Sequence, residues 1–258
     1  MIDLPSLRAL VLALIAGLST LLGALAVFTT RQRSQRLLAV SLGFAAGVML
    51  SVSFTDLFPN ARELLSAASG TRPGAVLSVA ALAGGILLAM ALDHLVPHEA
   101  FDQATGEAPH KNLLRVGVVS TLAIALHNLP EGMATFMAGY EDATLGLTIA
   151  FAIAMHNIPE GITVAMPIWY ATGSRRRAFR YTLLSALAEP AGAGLAFLVL
   201  RPFISDMLLG SLFGVVSGIM IYIAVEELIP SSRQYGHDRS ALWATFAGIC
   251  LMPLTHLF

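Results

Sequence analysis

Residues 116–138 read VGVVSTLAIALHNLPEGMATFMA, and residues 143–166 read ATLGLTIAFAIAMHNIPEGITVAM. Each run is long enough to cross a bilayer, because about 20 mainly apolar residues cover ~30 Å of hydrocarbon. Each carries a histidine, an asparagine and a glutamate about halfway along. A charged side chain at that depth costs ~2.5–3.5 kcal/mol on insertion scales and reads by default as functional. An apolar run interrupted at its centre by HNLPEG, and the next interrupted by HNIPEG, decides how the rest of the chain is read.

The composition agrees with a chain that is mostly membrane span. Of 258 residues, 56% belong to the set AVILMFWYC and only 12% are charged. Mean hydropathy is +0.75. A soluble domain carries roughly twice that share of charge as a solvated skin, and a disordered chain carries far less apolar residue. The net charge of −1 gives no basic field for a phosphate backbone, so nucleic acid is excluded as a partner. The single cysteine, Cys250, forms no internal disulfide and no thiolate cluster. The partners left are membrane lipid and whatever the buried polar residues bind.

The hydropathy pattern predicts an all-α polytopic membrane protein, one transmembrane domain over 1–258. Its eight spans are expected at about 4–28, 37–57, 74–96, 116–138, 143–166, 179–200, 207–229 and 240–258. Orientation follows the Lys/Arg bias. One side holds Arg31, Arg33, Arg36, Lys111, Arg115, Arg175, Arg176, Arg177, Arg180, Arg233 and Arg239; the other holds Arg8, Arg62, Arg72 and Arg201. The first side is expected to be cytoplasmic, which puts both termini on the extracytoplasmic side.

The central residues have metal-ligand spacing. His127 and Glu131 stand at i, i+4, and Asn128 and Glu131 at i, i+3, so all three share a helix face. His156, Asn157 and Glu160 repeat the arrangement, and Glu189 in LSALAEPAG reaches the same layer from the sixth span. Pro130, Pro159 and Pro190 lack the amide proton that would reach the carbonyls of Leu126, Met155 and Ala186. Each helix is therefore expected to bend or loosen there, and broken helices at mid-membrane are a known way to build ion sites. Imidazole with carboxylate suits borderline divalent ions such as Zn²⁺ or Fe²⁺, with Mn²⁺ next; Cu⁺ wants thiolate, and Ca²⁺ or Mg²⁺ wants oxygen alone. Three deep carboxylates fit two metals, or one metal and a titratable glutamate.

Other candidates lie toward the mouths. Asp56, in SFTDLFPN, is expected near the outer end of span two. Asp93, His94, His98 and Glu99, in LDHLVPHEA, and Glu226 and Glu227, in AVEELIP, lie toward the cytoplasmic side. Glu226 is preferred over Glu227 because Tyr222 stands at i−4. An ordinary solvated helix end explains each of these equally well. Spans two and seven also share a pattern, AAGVML then SFTDLFP against VSGIMI then AVEELIP. This suggests an inverted repeat of spans 1–3 and 6–8 around the pair 4–5.

With SLGFAAGVML, the doubled HNxPEG motif and LSALAEPAG in place, the chain resembles the ZIP family of divalent metal transporters over essentially its whole length, and is similar to its bacterial branch. The resemblance implies uptake of zinc first, with iron, manganese, cobalt or cadmium as other cargo, across a bacterial inner membrane. It implies a 3+2+3 arrangement, a homodimer, and a centre of His127, Asn128, Glu131, His156, Asn157, Glu160 and Glu189 for one metal or two, with Glu160 bridging. No resident cofactor is expected. The loop after span three is short, where many members carry a long His-rich one, and His156 stands where many members have Asp.

The expected function is transport by alternating access, and not enzymatic. The alternatives are a membrane-embedded metal hydrolase and a non-transporting metal receptor. The hydrolase would keep one metal position open for water, and the chain has no HExxH motif. The receptor would need an output surface that the short loops do not offer.

Overall fold

The computed structural model describes residues 3–29, 34–95 and 113–255, and these are helical almost throughout. They form eight rods: α1 (Leu4–Thr29), α2 (Gln35–Ser69), α3 (Thr71–Leu95), α4 (Leu113–Glu141), α5 (Ala143–Thr172), α6 (Arg175–Leu200), α7 (Asp206–Arg233) and α8 (Asp238–Thr255). Among the described residues six, α1, α2, α3, α5, α6 and α7, contain segments long and apolar enough to cross a membrane. The molecule is therefore an all-α polytopic membrane protein. Its exposure is inverted relative to a soluble fold. Leu198, Trp243 and Val76 are 75%, 72% and 69% exposed, while Glu131, Glu160 and Glu189 are at most 1% exposed.

The rods divide by packing into two groups. In the first, α1, α4, α5 and α6 pack on one another; in the second, α2 packs on α8 and α3 on α7. The groups meet where α2 packs on α5 and α4 on α7. Small residues make these approaches possible, as expected where lipid offers no hydrophobic drive between helices. A Cβ on Gly47 would overlap the Thr245 carbonyl, and one on Gly218 would overlap that of Leu82.

Three departures from the sequence expectation have local causes. The second rod does not stop near residue 57. It runs on as helix Phe58–Ser69, because Pro59 suits a first helical turn and Ala61 and Leu65 bury against α7; it ends at Gly70, with φ 94°. The HNxPEG prolines do not loosen their helices. α4 and α5 remain α-helical through Pro130 and Pro159, held between packed neighbours on several sides. The wide turns fall elsewhere. π-helical turns at Ser53–Leu57 and Ile223–Leu228 lie just before Pro59 and Pro230, with Phe58 and Ile229 donating five residues back to the carbonyls of Ser53 and Ala224. α6, by contrast, is interrupted at Leu187, three residues before Pro190, next to the Ala186 carbonyl that Pro190 leaves without a donor.

The ends of the rods are fastened by polar contacts. Arg8 on α1 donates from Nε to the Gly139 carbonyl at 2.9 Å and from Nη2 to that of Tyr140 at 3.3 Å. It thereby caps the carboxyl end of α4, where a cation is favoured. At the α5–α6 turn, Gly173 takes φ 65° and Ser174 caps α6. The Arg175 guanidinium lies 5.2 Å from the Trp169 ring centre and 6.0 Å from that of Phe28.

Candidate metal centre

The centre is built where α4, α5 and α6 meet against α1. Helical periodicity brings Asn128 and Glu131 to the inner face of α4, and His156, Asn157 and Glu160 to that of α5; Glu189 enters just after the interruption of α6. All six are at most 1% exposed. Glycine sets how closely the rods approach. A Cβ on Gly132 would overlap the carbonyl of Glu189, and one on Gly161 would overlap that of Thr20. The residue after each motif glutamate thus lets another helix press its backbone against the motif.

Two side-chain pairs join the three motif-bearing helices. His156 Nε2 lies 3.4 Å from Glu131 Oε2, linking α5 to α4. Asn157 Nδ2 donates to Glu189 Oε2 at 2.8 Å and to the Ala16 carbonyl at 3.0 Å, linking α5 to α6 and α1. Because its amide nitrogen is engaged by both acceptors, the Asn157 oxygen is turned elsewhere. That oxygen, Glu131 Oε1, Glu189 Oε1 and both polar atoms of the Asn128 amide are buried and have no hydrogen-bond partner among the described residues. Buried polar atoms left so cost about 1–3 kcal/mol each and call for an explanation such as an ion. From residue 116 to 172 the sequence supplies no lysine or arginine to neutralise the acids.

Among the described residues, no three His, Cys, Asp or Glu side chains converge closely enough to hold an ion. The structure thus brings Glu131 to His156 and Glu189 to Asn157, and places Asn128 and Glu160 buried on the same helices. The side chains of His127 and His94, and residues His98 and Glu99, lie outside the described residues.

The mouth residues separate. Asp56 is 4% exposed inside the π-turn of α2; Thr55 Oγ1 donates to its Oδ2 at 2.5 Å and Asn60 Nδ2 to its carbonyl at 2.7 Å. Glu226 is exposed and Glu227 is half-buried. The i−4 argument for Glu226 assumed an α-helix, but the π-turn inserts a residue and shifts the face. Tyr222 turns instead to α3, its hydroxyl donating to Asp93 Oδ2 at 2.8 Å. Sequence reasoning also missed the role of α1, whose only signal was the small-residue run Gly17, Ser19, Thr20 and Gly23.

Comparison with known proteins agrees with this architecture. A family model described as ZIP Zinc transporter matches residues 101–255. The protein named zinc transporter ZupT of Streptococcus mutans is 42% identical over 261 residues, covering 96% of this chain and 96% of that protein. ZupT of Chlorobium luteolum is 44% identical, covering 96% and 97%, and ZupT of Oceanobacillus iheyensis is 41% identical, covering 97% of each. These relatives are bacterial transporters rather than enzymes, and the chain is a multi-pass protein of the bacterial inner membrane. A full-length match at this identity, in a chain whose adjacent helices carry a doubled His-Asn-x-Pro-Glu-Gly motif, places it in the ZIP zinc transporter family.

Proposed function

We propose that the protein takes up divalent transition-metal cations into the cytoplasm, zinc first, through a mid-membrane site of His127, Asn128, Glu131, His156, Asn157, Glu160 and Glu189. The observation that carries the reading is the pair of contacts, Glu131 with His156 and Asn157 with Glu189, fully buried and flanked by unpartnered donor atoms on three helices. Imidazole, amide oxygen and carboxylate together suit Zn²⁺, Fe²⁺, Mn²⁺, Co²⁺ or Cd²⁺ better than Ca²⁺ or Mg²⁺. The relatives' name, zinc transporter, supports zinc as the first cargo. The three carboxylates have the charge for one metal or two, and Glu160 is the bridging residue in the second case.

All eight rods cross the membrane in this proposal, with both termini outside and an inverted repeat of α1–α3 and α6–α8 around α4–α5. Support comes from matched packing. Gly43 and Gly47 meet the backbone of Ala241 and Thr245 on α8; Gly218 meets the backbone of Leu82 on α3, and Gly214 the Ala81 side chain. The residues of α2 and α7 correspond at one constant displacement along the chain, and so do Pro59 and Pro230 with the π-turns before them. Cargo passes Asp56 on the outer side and the Asp93, His94, His98, Glu99, Glu226 and Glu227 region on the inner side. Two copies associate as a homodimer in the membrane.

The test is uptake of radiolabelled or fluorescently reported Zn²⁺ into proteoliposomes, native chain against Glu160→Ala, with a pH step in parallel. Saturable uptake in the native protein and its loss in the variant are expected. Folded, zinc-binding native protein that carries no zinc across would overturn the transporter reading.

A further inference from the structure

We infer that Thr20 on α1 belongs to the metal site, its hydroxyl holding a water that the bound cation retains on its α1 side. This rests on the metal-site reading above.

The first observation is positional. α1 docks on α5 as α6 docks on α4. A Cβ on Gly161 would overlap the Thr20 carbonyl, and one on Gly132 would overlap that of Glu189. A Cβ on Gly23 would overlap the Ile158 carbonyl, and one on Gly192 would overlap that of Leu129. Leu129 and Ile158 are the same motif position, as are Gly132 and Gly161. Motif for motif, Thr20 therefore stands on α1 where the buried carboxylate Glu189 stands on α6.

The second observation concerns the hydroxyl. Thr20 is fully buried, and its Oγ1 has no hydrogen-bond partner among the described residues. A helical threonine ordinarily folds its hydroxyl back onto the carbonyl four residues earlier. Thr55, Thr135, Thr172, Thr182 and Thr245 all do so here, at 2.6–3.0 Å. For Thr20 that acceptor is Ala16, whose carbonyl already receives Ser19 Oγ at 2.6 Å and Asn157 Nδ2 at 3.0 Å, besides the amide of its own helix. The usual outlet is taken, and one of the bonds that takes it comes from a motif residue.

The chemistry follows. A divalent ion held by ligands from α4, α5 and α6 finds no acid or imidazole on α1, because residues 4–29 contain none. That face keeps a water. A metal-bound water is a strong donor, and a hydroxyl is a neutral acceptor that adds no charge to an already acidic centre.

Thr20→Val keeps the shape and removes the hydroxyl; Thr20→Ser keeps the hydroxyl. Zn²⁺ uptake into proteoliposomes gives KM, and Zn²⁺-induced stabilisation of the detergent-purified protein against heat gives a readout independent of transport. In Thr20→Val the KM rises roughly tenfold, as loss of a hydrogen bond assisted by charge predicts. The zinc-induced stabilisation shrinks, the metal-free melting temperature does not fall, and Thr20→Ser restores native values. A native KM in Thr20→Val overturns the inference. So does a raised KM that Thr20→Ser fails to restore, which traces the effect to packing. Should Thr20→Val fail to fold, Thr20→Ala reads the same quantities. Glu160→Ala is run alongside. If it too transports normally, the metal-site reading itself falls; if it is dead while Thr20→Val has native KM, Thr20 alone is excluded.

Discussion

Replacing Gly132 by alanine adds one methyl group at the point where α6 lies against the motif helix. That carbon would sit 2.7 Å from the carbonyl carbon of Glu189 and 3.0 Å from its Cα, and would overlap the carbonyl oxygen. Comfortable contacts between carbon atoms are about 3.5–4.0 Å, so the rods must part by roughly 1 Å. All three obstructing atoms are backbone, so no side-chain rotation relieves the clash. Overpacking of this kind costs about 1–3 kcal/mol. Alanine's better helix propensity returns about 0.5–1 kcal/mol. The net expectation is a loss of up to about 2.5 kcal/mol, together with a displacement of Glu189 from Asn157 sufficient to break their 2.8 Å bond. Gly194, on α6, is the control, because a Cβ there meets nothing within 4 Å. Gly194→Ala should leave uptake intact and raise the melting temperature slightly. The assay is thermal unfolding of both variants in detergent with zinc uptake in proteoliposomes. Native stability and native uptake in Gly132→Ala would refute the claim that the glycine of HNLPEG exists to admit the α6 backbone.

Three further outcomes are expected. Asn157→Ala strips Glu189 and the Ala16 carbonyl of a buried donor; stability falls by about 1–3 kcal/mol and uptake disappears, and an unchanged melting curve with native uptake would contradict the pairing. Arg8→Met removes two charge-assisted bonds to the end of α4 far along the chain; the melting temperature drops with a loss of about 1–3 kcal/mol while KM for zinc holds, so a shifted KM with native melting would overturn the purely structural role. In a Cys250→Ser background, a membrane-impermeant maleimide applied to whole cells labels Ser205→Cys and spares Ser174→Cys; the reverse pattern would invert the orientation proposed from the arginines.

Much of the architecture was legible because a bilayer simplifies the code. Without water, each backbone polar group must be satisfied within its own segment, so an apolar run of span length is a helix. The motif positions were equally legible, since a histidine or acid at mid-span has few reasons to be there. What misled was proline. Pro130 and Pro159 leave a carbonyl without its donor, but whether the helix yields depends on the neighbours that hold it. Wide turns formed instead at Ser53–Leu57 and Ile223–Leu228, before Pro59 and Pro230, and at Ala196–Leu200. The π-turn of α7 left Glu226 exposed and Glu227 half-buried, a shift of one residue that no periodicity argument assuming 3.6 residues per turn can anticipate.

The sequence by itself determined that this is a membrane-embedded helical protein and which acids, amides and imidazoles stand mid-span in its apolar runs. Both follow from the local cost of placing such residues in hydrocarbon. Only the tertiary structure decided which of them meet: Glu131 with His156, Asn157 with Glu189 and the α1 backbone, Tyr222 with Asp93. It also decided that α1, which bears no acid or histidine, packs against the motif helices and accepts a bond from Asn157. Pairings between helices depend on crossings set by the close approach of glycines from distant segments, and a helix's contribution through its main-chain carbonyl leaves no mark on its own side-chain pattern.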